Sequence, residues 1–290
     1  MEDFCKFGSG GNKGTVVISV DIERDVGLAA VYPSAHKKHT VYARHFYEED
    51  PLGEMFEIFD SRRIPMTLAI VSKAMDDKLE RVMDRAARSD VPHEIACHSF
   101  RHRQISDYKD QEDFRADLKR VRQFEKQMNI APSVSYIFPC NKHGYLDTLH
   151  EEGWKICRLQ EEGKDAVRGF GYIKRKAGTL TSYLLCRSPN VNELETTEQG
   201  LTITNGDMCY IDAQGLAGLL PTFCQTTRAI KGVEKAAVKR RIFHLWFHDF
   251  LFLRKKGALR QSLEKIADHI DKARIDGRIE PRTMRQLAAL

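Results

Sequence analysis

Short apolar runs alternate along this chain with longer stretches whose apolar residues recur every three or four positions. Val16–Asp21 is an apolar run ending in a carboxylate and reads as a buried strand. Leu52–Arg62 aligns Leu52, Phe56 and Phe59 on one helical face, and Pro65 then precedes a strand over Met66–Val71. A helix over Asp76–Ser89 and a short strand over Glu94–Cys97 follow. The strongest helical signal is Asp110–Met128, where Phe114, Leu118, Val121, Phe124 and Met128 keep helical spacing. Val134–Phe138 reads as a strand stopped by Pro139, Tyr145–Glu152 as a helix stopped by Gly153, and Lys155–Arg158 as the next strand. Late in the chain come a strand over Arg241–Phe247, a helix over Leu259–Asp276 ended by Gly277, and a terminal helix over Thr283–Leu290 capped by Thr283. Two stretches lack a clean period. Residues 24–49 read as a long loop able to cover a site, and 160–235 as irregular strands with a loop excursion. Strands alternating with helices imply a parallel sheet or a barrel.

Composition narrows the function classes. Of 290 residues, Lys and Arg number 46 and Asp and Glu 41, a net +5 spread along the chain with no long like-charge block, so nucleic acid is not an expected partner. The basic runs 239–241 and 254–256 read as solvated faces, with an anionic substrate such as a sugar diphosphate or a lipid phosphate as the alternative. No apolar run approaches the roughly 18 residues of a membrane-spanning helix. The first 14 residues are polar and Gly-rich, and Asp21 interrupts the run that follows, which is not the pattern of a secretion signal. Seven scattered cysteines without a CxxC do not form a disulfide framework. The expected location is the cytoplasm, with Cys157, Cys186 and Cys209 as small core residues.

The candidate chemistry lies where strands end. Asp21-Ile22-Glu23 places two carboxylates on alternate residues, and His98 and His102 are four apart. A carboxylate with two imidazoles is a ligand set for a hydrolytic metal centre with open positions. If the chain turns helical after Cys97, both rings face one side. Two carboxylates pointing the same way are costly unless a cation or proton sits between them. His248, after the apolar run 243–247, suits proton donation. His244 reads as a core histidine, and Asp249 either orients His248 or begins the next loop. Pro139-Cys140-Asn141 reads as a turn or as a backbone N–H that binds an oxyanion. Cys140 with His143 is weak evidence for a nucleophile pair, and His36, His39 and His45 read as surface or lid residues. Asp21, His98, Pro139 and His248 all fall at strand ends, where barrel enzymes carry their chemistry.

Four segments, taken in order, resemble the motifs of the polysaccharide deacetylase (NodB homology) family. They are Val17-Ile18-Ser19-Val20-Asp21-Ile22-Glu23; His93 to His102; Ile137-Phe138-Pro139-Cys140-Asn141 followed by Tyr145-Leu146-Asp147 and Glu152-Gly153-Trp154; and Leu245-Trp246-Phe247-His248. The Phe-Pro-x-Asn form is similar to a subgroup associated with bacterial O-antigen and surface-polysaccharide loci. The resemblance implies a distorted (β/α) barrel with fewer than eight regular strands, forming a single domain over residues 1–290. It implies metal-dependent removal of an N-acyl group, acetyl or formyl, from an amino sugar. Asp21 would be the general base and His248 the general acid. Glu23, His98 and His102 would hold one divalent metal, zinc first, with cobalt, nickel, iron or manganese also compatible. Pro139, Asn141 and Trp246 would contact substrate.

Two departures bear on this. Glu23 stands where the family more often has Asp, so Asp21 and Glu23 are open to exchanging roles. The third motif lacks the Arg that orients the base in the family, and Arg101, Arg103 and Arg158 are candidates to replace it. The expected substrate is a nucleotide- or lipid-linked amino sugar in surface-polysaccharide synthesis. The alternatives are a catalytically impaired barrel that binds glycan or a biosynthetic partner, and an unrelated amidase or phosphoesterase.

Overall fold

The apolar runs assemble into one eleven-stranded sheet in the computed structural model, which describes residues 5–7, 13–23, 51–75, 77–159, 185–210, 222–249 and 256–290. The strands are β1 (Cys5–Phe7), β2 (Gly14–Ile22), β3 (Thr67–Ile70), β4 (Glu94–Cys97), β5 (Ser135–Ile137), β6 (Ile156–Leu159), β7 (Leu194–Thr196), β8 (Thr202–Asn205), β9 (Met208–Cys209), β10 (Ile242–His248) and β11 (Ile279–Arg282). The helices are α1 (Pro51–Asp60), α2 (Asp77–Arg88), α3 (Gln111–Gln127), α4 (Leu146–Glu151), α5 (Thr222–Lys239), α6 (Lys256–Ile275) and α7 (Met284–Leu287).

The row β9-β10-β2-β3-β4-β5-β6-β8 is parallel throughout. Its two ends are joined by the chain itself. Gly206 and Asp207 alone separate β8, paired with β6, from β9, paired with β10. Asn192 and Ile242 add a pair of 2.8 Å backbone hydrogen bonds across this seam. The sheet therefore closes into a distorted (β/α) barrel, which leaves its parallel strands covered on both faces.

Side-chain alternation then sorts β2 into two sets. Val16, Ile18, Val20 and Ile22 point outward into a large apolar layer with α1, α5 and α6. Val17 points inward, packing with Ala69, Ala96, Ile137, Ile156, Ile242 and, from α7, Met284 and Leu287. Those residues plug one end of the barrel. By the same parity Ser19, Asp21 and Glu23 continue up the lumen. His244, Trp246 and His248 rise beside them on β10, where His248 is in register with Asp21.

Three sequence expectations need correction. Within the stretch read as irregular, Thr222–Lys239 is an 18-residue helix. Thr222, Thr226, Thr227 and Gly232 weaken its local helical signal, and tertiary packing of Cys224, Ala229, Val233 and Ala236 supplies what propensity does not. The chain after β4 does not turn helical: Ser99 and His102 have φ of 64° and 58°. The terminal helix is confined to Met284–Leu287, and β11, which pairs with the first half of β2, was not anticipated. The long loop 24–49 with His36, His39 and His45, and the stretches 160–184 and 211–221, lie outside the described residues. No helix among the described residues is long and apolar enough to cross a membrane.

Candidate active site

Glu23 is the centre of the upper lumen and is 3% exposed. Its Oε1 lies 3.0 Å from His102 Nε2, 3.3 Å from His98 Nε2 and 3.3 Å from His248 Nε2. Ligand atoms of Glu23, His98 and His102 all lie within 4.8 Å of one another, a candidate metal set. The chemistry of the donors supports this. His98 Nδ1 is 2.8 Å from the Ile137 carbonyl oxygen, which only accepts, so Nδ1 carries the hydrogen. In the neutral ring the lone pair at Nε2 then faces a carboxylate. That contact is repulsive without a cation or proton between them, so the residues present fit a divalent ion bound between Glu23 and the two imidazoles. Burial pushes the Glu23 carboxyl up, but His248, His102 and His98 together pull it well below the usual range.

The two imidazoles converge without a helix. The HxxxH spacing works here because the left-handed Ser99 and His102 fold the loop back, leaving the ring centroids 5.0 Å apart. The backbone N–H groups of Ser72 and Lys73 donate to the carbonyls of Ser99 and Phe100, at 3.2 and 2.9 Å.

Asp21 is placed differently. Arg158, from the lumen face of β6, donates from Nη1 to Asp21 Oδ1 at 2.8 Å and from Nη2 to Oδ2 at 2.6 Å, a bidentate pair with both partners buried. Burial raises the Asp21 carboxyl's pKa, but Arg158 and His98 outweigh it and hold the group below its ordinary value. Of the three candidate arginines, Arg158 alone pairs with Asp21: Arg101 is exposed and lies over Phe100, and Arg103 pairs with Asp113. Asp21, Glu23 and His248 also lie within 4.8 Å of each other. Arg158 takes both Asp21 oxygens, which argues against a second metal there.

Further groups hold the guanidinium. Nη1 also donates to Ser19 Oγ at 3.0 Å, and Nη2 to Asn141 Oδ1 at 3.3 Å. The Trp246 ring lies 4.3 Å from the guanidinium carbon. Ser19 Oγ, which accepts from Arg158, also lies within hydrogen-bond distance of His244 Nε2, at 2.8 Å. Burial and then Arg158 lower the His244 pKa well below 6.5, keeping that ring neutral. Ser19 and His244 form an underlay that sequence reasoning did not find. Its signals were Arg158 inside a buried strand and a hydroxyl and imidazole on the inward parity of β2 and β10.

His248 has a quarter of its side chain exposed and packs against Trp246 with ring centroids 5.5 Å apart. Burial lowers its pKa, but Glu23, Asp21 and Asp249 together raise it above 6.5. Asp249 is fully buried, and its Oδ1 accepts from the Glu23 N–H at 3.4 Å. Pro139–Asn141 forms a 3-10 turn in which Cys140 and Asn141 adopt φ of 54° and 55°. Cys140 is half-buried, and burial, with Glu23 adding, pushes its thiol pKa up. Pro139 is buried and Trp246 is 4% exposed, while Asn141 is half-buried with its carbonyl turned to Arg158.

No family model and no curated protein matches the chain. Solved structures do. A Mycobacterium smegmatis protein described as a polysaccharide deacetylase superposes with a TM-score of 0.69 at 15% identity, covering 100% of this chain and 94% of its own. A Pseudomonas aeruginosa PAO1 protein described in the same way gives 0.66 at 12% identity, covering 95% and 89%. The allantoinase PuuE gives 0.68 at 12% identity, covering 97% and 91%. The fold is the distorted (β/α) barrel of the polysaccharide deacetylase type.

Proposed function

We propose that this chain is a metal-dependent hydrolase that removes an N-acetyl or N-formyl group from an amino sugar. The observation that carries the reading is the juxtaposition of a Glu23/His98/His102 ligand set with an Arg158-held Asp21 and with His248. The shared fold supports it, but the same fold includes an allantoinase, so the residues must carry the argument. One divalent ion, zinc first, would be held by Glu23, His98 and His102, and when bound it acidifies water and polarises the amide carbonyl. Asp21, kept ionised and oriented by Arg158, takes the proton as water adds to the carbonyl carbon. A backbone N–H of the 139–141 turn donates to the oxyanion. His248 gives its proton to the nitrogen as the C–N bond breaks, releasing the free amine and acetate or formate. Asn141 and Trp246 act here through Arg158, and Pro139 shapes the turn that faces substrate. The Asp21–Arg158 pair removes one motive for the non-catalytic alternative, since the base has its arginine from another strand.

The substrate is read as an anionic, nucleotide- or lipid-linked precursor of a surface polysaccharide, met in the cytoplasm. Lys73, Arg101 and Lys142, from the segments after β3, β4 and β5, are exposed and have no ion pair among the described residues. They offer positive charge near the strand ends where a diphosphate could dock.

The first experiment is the metal content of wild type, His98→Ala and His102→Ala by elemental mass spectrometry, with deacylation of N-acetyl and N-formyl amino sugars in parallel. The expected result is about one equivalent in wild type, lost in both variants, with acyl release that follows metal content. Wild type that takes up no zinc, cobalt or manganese on reconstitution would overturn the hydrolase reading. Faster turnover of a neutral polymer than of a phosphorylated precursor would overturn the substrate class alone.

A further inference from the structure

The loop carrying His98 and His102 contains two left-handed residues, and such conformations persist only where the surroundings enforce them. Two of its restraints come from the backbone turn at residues 72–73. The third comes from a side chain. The Phe100 N–H, midway between the two histidines, donates to Asp117 Oδ2 at 3.0 Å. Asp117 is 1% exposed and lies on the inner face of α3, beside Phe114, Leu118 and Val121. A carboxylate at that position is expensive to bury, and an apolar residue would continue the helix's packing face. Burial pushes its carboxyl up, although the Phe100 amide pulls the other way. The same helix braces the far side of the loop. Arg103, next to His102, pairs with Asp113 at 2.7 Å and lies 4.1 Å over the Tyr108 ring.

We infer that Asp117 is a positioning residue for the metal ligands, holding the Phe100 amide so that His98 and His102 meet Glu23 in one fixed geometry. The inference rests on reading Glu23, His98 and His102 as a metal set. Asp117 touches neither metal nor substrate and acts through the loop backbone. Outer partners of this kind typically change metal affinity by about 10–100-fold when removed.

The test is zinc affinity by competition with a chromophoric chelator, with the visible spectrum of the cobalt-loaded protein as a geometric readout. Four proteins are compared: wild type, Asp117→Ala, Asp117→Asn and Val121→Ala. Asp117→Ala should bind zinc about 10–100-fold more weakly and alter the cobalt spectrum. Asp117→Asn keeps an acceptor oxygen and should stay within about threefold of wild type. Val121→Ala removes packing from the same helix face, so it should lose thermal stability and keep the wild-type zinc affinity. Should Asp117→Ala fail to fold, Asp117→Ser, too short to reach the amide, takes its place. Equal zinc affinity in wild type and Asp117→Ala, or an equal loss in Val121→Ala, overturns the inference and leaves the metal reading intact. Wild type that binds no metal overturns both.

Discussion

At the scale of single residues, the centre is governed by what each buried charge faces. Arg158 satisfies Asp21 with a planar fork that lysine cannot reproduce. Arg158→Ala leaves a buried carboxylate unpaired, a change that typically costs roughly 3–5 kcal/mol. Urea denaturation should register that loss, and Arg158→Lys should recover little of the activity. Metal content should stay near wild type in both, because Arg158 contacts none of the three ligands. Activity restored by lysine would mean that charge alone, without orientation, is what Asp21 needs. His93 gives a pH prediction away from the site. Its side chain is fully buried, Nδ1 accepts from the Met66 N–H at 3.0 Å, and Nε2 lies 2.6 Å from Asp60 Oδ1. Burial lowers its pKa below 6.5 despite Asp60. The unfolded chain therefore binds the proton more readily than the fold does. Stability is full above about pH 6.5 and is lost as pH falls toward the folded value. The urea midpoint should drop between pH 7.5 and 5.5, and His93→Gln should flatten the slope, leaving the part due to neutral His244. An unchanged slope in the variant would exclude His93 as its source.

At the scale of elements, α5 shows how packing overrides a weak local pattern. Gly232 sits where a Cβ would come within 2.5 Å of the Phe243 ring on β10. Glycine costs the helix some intrinsic stability, but it permits the close approach that buries Val233 and Ala236. Gly232→Ala gains propensity and loses the fit. The expected net effect is destabilisation by about 1–3 kcal/mol, seen as a lower melting temperature. A rise in melting temperature would show that Phe243 moves aside freely. The α3 helix was legible by contrast, through its apolar stripe, and the structure adds an N-cap in which Asp110 Oδ1 accepts from the Asp113 N–H at 2.9 Å. Asp117 lay on that stripe as a polar exception, and nothing local indicated which amide it serves.

At the scale of the whole molecule, the seam that closes the barrel also touches the catalytic candidates. A Cβ on Gly206 would lie 2.8 Å from Trp246 Nε1 and 3.4 Å from Arg158 Cδ. Gly206→Ala should displace the indole, and with it the guanidinium that orients Asp21. The expected outcome is a fall in kcat with retained metal content, measured beside a urea melt. Loss of stability with kcat unchanged would confine Gly206 to a structural role.

Much was legible because strand parity is local. Alternation alone puts Asp21 and Glu23 on one face of one strand, and strand ends gather site residues in any barrel of parallel strands. The sequence by itself determined most strands and helices outside residues 160–235, a parallel sheet or a barrel as their architecture, and the carboxylate and imidazole groups that crowd the upper lumen. The tertiary structure decided the rest. The arginine that meets Asp21 lies 137 residues away on another strand, and three candidates carried the same charge. The geometry of His98 and His102 depends on two left-handed residues and a carboxylate from α3, and residue spacing encodes neither. Such pairings depend on how the sheet closes, a non-local event in which distant lumen faces come together, so no single window of sequence contains them.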